Sequence, residues 1–198
     1  METPVLILAA GRSSRMRGAD KLLQPVGGVP LLRRQVLSAM TTGGRVMVAL
    51  PGPNDPRAAV LQGLPVAIVP VPDAAQGMSI SLRRGVRALP DCDRFLVLLP
   101  DLAELAPEDL RAVLDAPGTA PDALIWRGAT EEGKPGHPIL FDAALRPDFA
   151  DLSGDTGGAP IIAAHANRVH LVALPGQRAR RDLDTPEDWA AFRLETGL

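Results

Sequence analysis

Thiols are almost absent from this chain. Cys92 is its single cysteine, which excludes an internal disulfide framework and a thiolate metal cluster. Asp91 and Asp93 flank it, and their charges raise a thiol pKa, which argues against a nucleophile. Charge of one sign is lacking too. The 21 Lys and Arg residues are nearly matched by 23 Asp and Glu, for a net charge of −2. Without a global basic field, binding of nucleic acid is not expected, and any anion site must be local. No apolar run approaches the roughly 20 residues of a membrane-spanning helix, so no membrane association is expected. The opening "PVLILAAG" is short, lacks a basic start and breaks at Gly11, unlike a secretory leader. A reducing, cytoplasmic setting fits the scarcity of cysteine. Histidine, Asp and Glu form no cluster at zinc spacing, and His165 and His170 read as structural. Internal repeats and linker-like tracts are missing as well. The chain has 198 residues, 46% of them hydrophobic, so one domain spanning 1–198 is the expectation.

What is present is a rhythm of short apolar runs. They lie at Val5–Ala10, Val46–Leu50, Val66–Val71, Phe95–Leu99, Ala123–Trp126 and Val169–Leu174. Rich in Val, Ile and Leu and mostly without alternation, they read as strands buried on both faces. Helical patterns fall between them. Val29–Met40 sets Leu32, Val36 and Met40 on one face, and Ser79–Ala88 does the same with Leu82 and Val86. Pro107–Leu114 opens on Pro, Glu and Asp, a favourable first turn. Thr185-Pro186-Glu187-Asp188 is another helix start, with Thr as cap and acids after it. Strand and helix in alternation imply a three-layer, doubly wound α/β fold around a mostly parallel, Rossmann-like sheet. The 20 prolines and 19 glycines are spread along the chain as turns. Between about 128 and 158 they thicken with Asp, and that region reads as less regular, on one edge and bordering a site.

The segment "VLILAAGRSSRMRGADKLL", Val5 to Leu23, asks for a function. In open α/β sheets ligands bind at the carboxyl ends of strands. There Gly11 lets the backbone turn its N–H groups toward an anion. Ser13 and Ser14 add hydroxyls, and Arg15 and Lys21 add charge. Together they form a polyanion cradle, most simply for a nucleoside triphosphate. It is neither a P-loop nor a dinucleotide fingerprint: Gly18 leads into Ala19-Asp20, and Gly11 into Arg12-Ser13. Asp101, ending "FLVLLPD", is the best candidate for a metal ligand, with a turn or helix-capping role as the alternative. Asp184 and Asp182 point the same way if their segment is extended, although Asp184 and Thr185 also suit the start of the last helix.

These residues carry a resemblance. "LAAGRSSRM" followed by "DKLL" resembles the signature of the MobA-like NTP transferases, and within them most closely the molybdenum cofactor cytidylyltransferases, the MocA-like group. "QGMSISLRRGV", "LVLLPDLAEL", "GHPILF", "GDTGGAPII" and "DLDTPEDW" resemble further segments of that family, in the same order. The resemblance implies a Mg²⁺-dependent nucleotidyltransferase. It would transfer CMP from CTP to molybdopterin or the molybdenum cofactor and release pyrophosphate, with a molybdenum hydroxylase as a plausible client.

The resemblance also implies roles. Lys21 would bridge the α- and β-phosphates, Arg15 would hold the β/γ-phosphates, and Arg12 would act through its backbone N–H. Leu8, Ala9, Ala10, Gly11, Arg12, Ser13 and Ser14, with Ala75, Gln76, Gly77 and Ser81, would bind the nucleotide. Ala9-Ala10, where guanine-selective relatives carry Gly-Gly, favours cytosine. Ser79 and Ser81 are equally suited to capping a helix. Asp101 and Asp184 would hold the metal. Asp182, Asp155 and His137 would lie on the acceptor side, although His137, between Gly136 and Pro138, also reads as an ordinary exposed loop residue. The chain departs from the pattern twice. Ala103 stands where the family has Pro, two residues after the metal aspartate, which should loosen that turn. "RMRGADK" is one residue longer than the common spacing, which bears on the reach of Lys21. Rival readings keep the chemistry with GTP or with a sugar or polyol phosphate, or replace it with a non-catalytic cofactor carrier or chaperone.

Overall fold

The structure, a computed structural model, describes residues 2–198. Its first strand, β1 (Val5–Leu8), lies inside the sheet, four residues buried on both faces. Val5 and Ile7 enter one apolar core, and Leu6 and Leu8 enter a second on the other side of the sheet. This is the geometry that non-alternating apolar runs require. The chain continues through a small hairpin, β2 (Pro25–Val26) and β3 (Val29–Pro30), and α1 (Leu31–Met40). Next come β4 (Val46–Leu50), α2 (Pro56–Ala59), β5 (Ala67–Pro70) and α3 (Met78–Ala88). They are followed by β6 (Arg94–Leu98), α4 (Pro107–Asp115), β7 (Ile125–Ala129) and β8 (Pro135–Asp142). The chain closes with α5 (Ala159–Ala164), β9 (Val169–Ala173) and α6 (Pro186–Thr196).

The seven-stranded sheet runs β5-β4-β1-β6-β8-β7-β9. Four of its strand pairs are parallel, and only β8 runs against its neighbours β6 and β7. Residues of α1, α4 and α6 fill the first core and those of α3 the second, giving three layers. The expected helix starts form as read. Thr185 Oγ accepts from the Asp188 N–H at 3.1 Å, while Asp188 accepts from the Thr185 N–H at 2.8 Å, the reciprocal pair of a capping box. No helix among the described residues is long and apolar enough to cross a membrane. Burial pushes the Cys92 thiol up, and Asp91 and Asp93 add to it against Arg146.

The region between 128 and 158 needs correction. It contains β8, eight residues and the longest strand of the sheet. Pro135, Gly136 and Pro138 hide it from a reading based on breakers, but Pro is tolerated where a strand begins. Ile139, Leu140 and Phe141 follow, all buried. His137 is therefore no exposed loop residue. It sits in β8, and its Nδ1 is buried without a hydrogen-bond partner. Burial, then the Arg127 cation, pushes its pKa down to about 4, against the opposing pull of Asp101 and the Val97 carbonyl. Gly136 is needed where it stands. A Cβ there would lie 2.0 Å from the Ala179 carbonyl oxygen, the group that accepts from the His137 N–H at 2.8 Å.

One buried arginine fixes the loop after β1. Arg57, at the start of α2, is 4% exposed. Its Nε donates to Asp20 Oδ2 at 2.6 Å, Nη2 to Ser13 Oγ at 3.2 Å and Nη1 to the Ala9 carbonyl at 2.5 Å. Asp20 Oδ1 in turn accepts from Ser13 Oγ at 3.2 Å and from the Leu22 N–H at 2.9 Å. Ser13 has φ of 50°, a left-handed backbone that costs a non-glycine residue energy unless its surroundings hold it. The Arg57–Asp20 network supplies that hold.

Two outcomes are expected. Arg57→Met leaves Asp20 without its cation and frees Ser13. Chemical denaturation should show a loss of roughly 3 kcal/mol, the scale for breaking a largely buried pair, with Arg57→Lys recovering part of it. An unchanged midpoint in Arg57→Met would mean that the clamp carries no load. For His137 the folded pKa of about 4 lies below the ordinary 6.5, so as pH falls the unfolded chain takes up the proton first. Its contribution to stability is complete above about pH 6.5 and is lost toward pH 4. Denaturant melts across that window should slope less in His137→Gln, and an identical slope would refute the burial of a neutral ring.

Candidate active site

The carboxyl ends of β1 and β6 open into a cavity of about 400 Å³. The loop after β1 lines it through Ala10, Gly11, Arg12, Ser14 and Lys21, the segment before α3 through Ala75 and Gly77, and the first turn of α3 through Ser81. Leu8, Asp101 and Asp155 complete its wall. Three expected nucleotide residues, Ala9, Gln76 and Ser13, fall elsewhere or face another way. Ala9 belongs to the opposite core, because successive side chains of a strand point to opposite faces. Gln76 is exposed and outside the lining. Ser13 turns to Asp20 and Arg57, so its hydroxyl holds the loop rather than the cavity. Ser79 is fully buried with its Oγ unpartnered. Asp155, expected on the acceptor side, lies against Gly77 instead and accepts from the Met78 N–H at 3.2 Å. Gly77, with φ of 119°, admits this approach: a Cβ would meet the Gly154 carbonyl oxygen at 2.4 Å.

Three carboxylates converge beside the cavity. Asp101, Asp182 and Asp184 each present an oxygen, and these oxygens lie within 4.8 Å of one another. Asp101 follows β6, and the Leu183 N–H between the other two donates to the Asp101 carbonyl at 3.3 Å. Lys21 Nζ donates to Asp101 Oδ2 at 2.6 Å and also contacts Asp184 Oδ1 at 2.5 Å. The longer "RMRGADK" spacing therefore does not keep Lys21 from the site. Arg17 and Gly18 absorb it in left-handed conformations, φ 53° and 94°. Arg15, largely exposed, reaches Asp184, and Arg17 pairs with Glu187 at 2.6 Å.

The electrostatics follow from this packing. Burial alone would lower the Lys21 ammonium, but Asp101 and Asp184 outweigh it and raise its pKa. Burial would raise Asp184, but Lys21 and Arg15 draw it below the carboxylate range. Asp182 goes the other way: burial, then the like charges of Asp184 and Asp101, raises it. Asp101 Oδ1 is buried without a partner. An orphaned carboxylate oxygen facing two others is a donor set of hard oxygens, which suits a hard divalent cation such as Mg²⁺.

The turn after Asp101, where Ala103 stands, is tied by two hydrogen bonds. Ala103 is 1% exposed. The Leu102 carbonyl accepts from Gln35 Nε2 at 3.0 Å and from the Leu105 N–H at 3.1 Å. A buried amide thus holds what a proline ring would stiffen. Beyond the triad lies a recess of about 280 Å³, bounded by Asp101, Asp182, Arg127, Arg180 and His137. Sequence reasoning singled out neither arginine, nor Arg57, Asp20 or Gln35. Asp20 lies inside the quoted "DKLL", but its role shows only through Arg57; the others reach the site through pairing of distant segments, and no local motif marks them.

Comparison with known proteins bears on this geometry. Residues 5–169 match the MobA-like NTP transferase domain. A molybdenum cofactor guanylyltransferase of Ralstonia nicotianae is 33% identical over 156 residues, 73% of this chain and 72% of that protein. A nicotine blue oxidoreductase of Paenarthrobacter nicotinovorans is 28% identical over 187 residues, 92% of each chain. The chain spans only 24% of the length of a GlmU protein of Halorhodospira halophila, with which it shares 36% identity over 116 residues. Among solved structures, Rv0371c from Mycobacterium tuberculosis superposes with a TM-score of 0.82 at 27% identity, covering 96% of both chains. A second structure of Rv0371c is a complex with manganese. With 165 of its residues inside the matched domain (5 to 169 inclusive), the chain belongs to the MobA-like NTP transferase family, a family of nucleotidyltransferases.

Proposed function

We propose that the protein, acting as one domain, transfers CMP from CTP to the phosphate of a molybdopterin-type acceptor, with release of pyrophosphate. The observation that carries this reading is the meeting of Lys21 with Asp101 and Asp184 at the mouth of the loop cavity. A lysine at the rim of a backbone-lined anion cradle, beside hard oxygen ligands, is the equipment of phosphoryl chemistry. Asp101 and Asp184 would hold Mg²⁺, with Asp182 beside them. The ion would supply charge neutralisation at the α-phosphate.

Lys21 would exchange its carboxylate partners for phosphate oxygens and stabilise charge as it builds on them. Arg15, exposed and tied only to Asp184, is free to swing to the outer phosphates. Gly11 and Arg12 line the same cavity, and their backbone N–H groups would add donors to the phosphates. An acceptor phosphate oxygen attacks the α-phosphorus in line, the bond to the β-phosphate oxygen breaks, and pyrophosphate departs with both electrons. Ala10, lining the cavity where glycine would leave more room, supports cytosine over guanine. The Ralstonia relative is named for guanylyl transfer and the Paenarthrobacter relative for oxidoreduction. The carboxylate–lysine cluster favours phosphate chemistry over the second. A molybdenum hydroxylase that receives the product would be the client.

Pyrophosphate release with Mg²⁺, a molybdopterin acceptor and each of CTP, GTP, ATP and UTP tests the reading. Release with CTP alone is expected; release with GTP alone would overturn the base assignment, and silence with all four while CTP binds would favour a carrier. Asp101→Asn and Lys21→Met should each lower kcat by about 10²–10³-fold, the scale for removing one preorganised charge-stabilising group, without loss of the folded state by circular dichroism. Ala10→Gly should raise GTP use relative to CTP.

A further inference from the structure

The outer side of α3 carries a cluster of positive charge that nucleotidyl transfer does not use. Arg83, Arg84 and Arg87 of α3 meet Arg146, from the segment Ala143–Asp151, around a cavity of about 610 Å³. Val86 and Phe149, both buried, form its base. No carboxylate is among the residues that line it, and none of those residues lines the nucleotide cavity or the recess. In a chain whose net charge is −2, four arginines around one space are a local field and not part of a generally basic surface.

Two of the four are already committed. Arg146 donates to the carbonyls of Val86, Leu89 and Pro90 at 3.2, 3.0 and 3.1 Å and so closes the end of α3. Arg84 grips Asp73 through Nε and Nη2, both at 2.8 Å. Arg83 and Arg87 have no such hold. Arg83 reaches only the Leu152 carbonyl, at 3.5 Å, and Arg87 has neither a hydrogen bond nor an ion pair among the described residues. They stand four residues apart on one helix, a spacing at which like charges repel about as strongly as opposite charges attract. Neighbouring acids do not relieve them: Asp73 is taken by Arg84, and Asp148 pairs with His165 at 2.9 Å. Arg87, in the last turn of α3, gains from the helix dipole, but Arg83 sits a turn earlier and does not.

We propose that this groove docks an acidic segment of a partner protein in extended form, with two of its carboxylates taken up by Arg83 and Arg87. The spacing matches. Residues four apart on a helix have Cβ atoms about 5–6 Å apart, and alternate residues of an extended chain lie on one side about 6.6 Å apart. Each guanidinium fork takes one carboxylate through paired N–H donors. A single phosphate fits poorly, since Arg84 and Arg146 spend their donors on Asp73 and on carbonyls and leave two heads a helical turn apart. Nucleic acid fits poorly as well, because it calls for a basic stripe longer than one cavity. The assignment is independent of the nucleotidyl-transfer reading.

Fluorescence anisotropy on the full chain at low ionic strength tests this with a short labelled peptide of alternating glutamate and serine and with its glutamine counterpart. The glutamate peptide should bind about ten-fold tighter, the scale of two exposed charge pairs, and added salt should erase the difference. A chain carrying both Arg83→Gln and Arg87→Gln should lose the preference while its thermal midpoint by circular dichroism holds. A chain carrying Arg12→Gln and Arg15→Gln, in the anion loop, should keep it. Equal affinity for the two peptides, or a preference that survives the loss of Arg83 and Arg87, would overturn the proposal. So would a preference lost with Arg12 and Arg15, which would put the peptide in the anion loop. Inorganic pyrophosphate serves as competitor on the Arg12, Arg15 variant: if it displaces the labelled peptide more effectively than unlabelled peptide does, the groove is a phosphate site and the acidic-segment assignment fails.

Discussion

Three carboxylates whose oxygens lie within 4.8 Å of one another repel, and the fold must supply something that keeps them together. In the free protein that something is Lys21. It comes from a different segment than any of the three, touching Asp101 and Asp184 at once. The loop from Gly11 to Lys21 is therefore an electrostatic strut as much as a ligand cradle. Its conformation in turn depends on Arg57 and Asp20, which lie under it and hold Ser13 in a left-handed turn. Loop, triad and buried clamp form one chain of dependence, from the start of α2 to the segment before α6.

The same chain of dependence explains how charge is kept available. A lysine held by carboxylates carries its proton and waits within reach of an incoming phosphate. The carboxylates it releases are those that suit a divalent ion. Asp182, the member whose pKa is raised, lacks such a lysine contact and faces the recess instead. The asymmetry separates the Lys21 side of the triad from the recess.

Much of this was legible in the sequence, and the reasons differ by element. Buried strands such as Val5–Leu8 and Val46–Leu50 announce themselves because apolar residues on both faces leave no alternation. The anion loop announces itself because glycine, serine and basic residues rarely cluster after such a strand. Asp101 and Asp184 were readable from their places at a strand end and before a helix. β8 was not readable, because Pro135, Gly136 and Pro138 mimic a loop until the backbone partners of β6 and β7 are known. Ser13 and Ala9 show a second limit. Motif membership cannot say which way a side chain turns, and both turn away from the cavity. Arg57, Arg127 and Arg180 lie outside every local signal, since each matters only through a partner far along the chain.

The reversed strand β8 has a consequence for assembly order. It lies between β6 and β7 in the sheet but follows both in the chain. The segment from 99 to 124 must leave the sheet and return as β7 with a gap beside it, which β8 then fills. Contacts of this kind close long loops before they are rewarded, and they form slowly. Val5 pairs with Val46 across 41 residues, whereas Ile125 pairs with Phe141 across 16, so β7 and β8 make a local hairpin and the long closure lies between β6 and β8. Where β8 of that hairpin takes its place beside β6, it brings Gly136 under the Ala179 carbonyl. In a nascent chain the loop after β1 therefore emerges long before Asp184, the partner that its Lys21 must wait for.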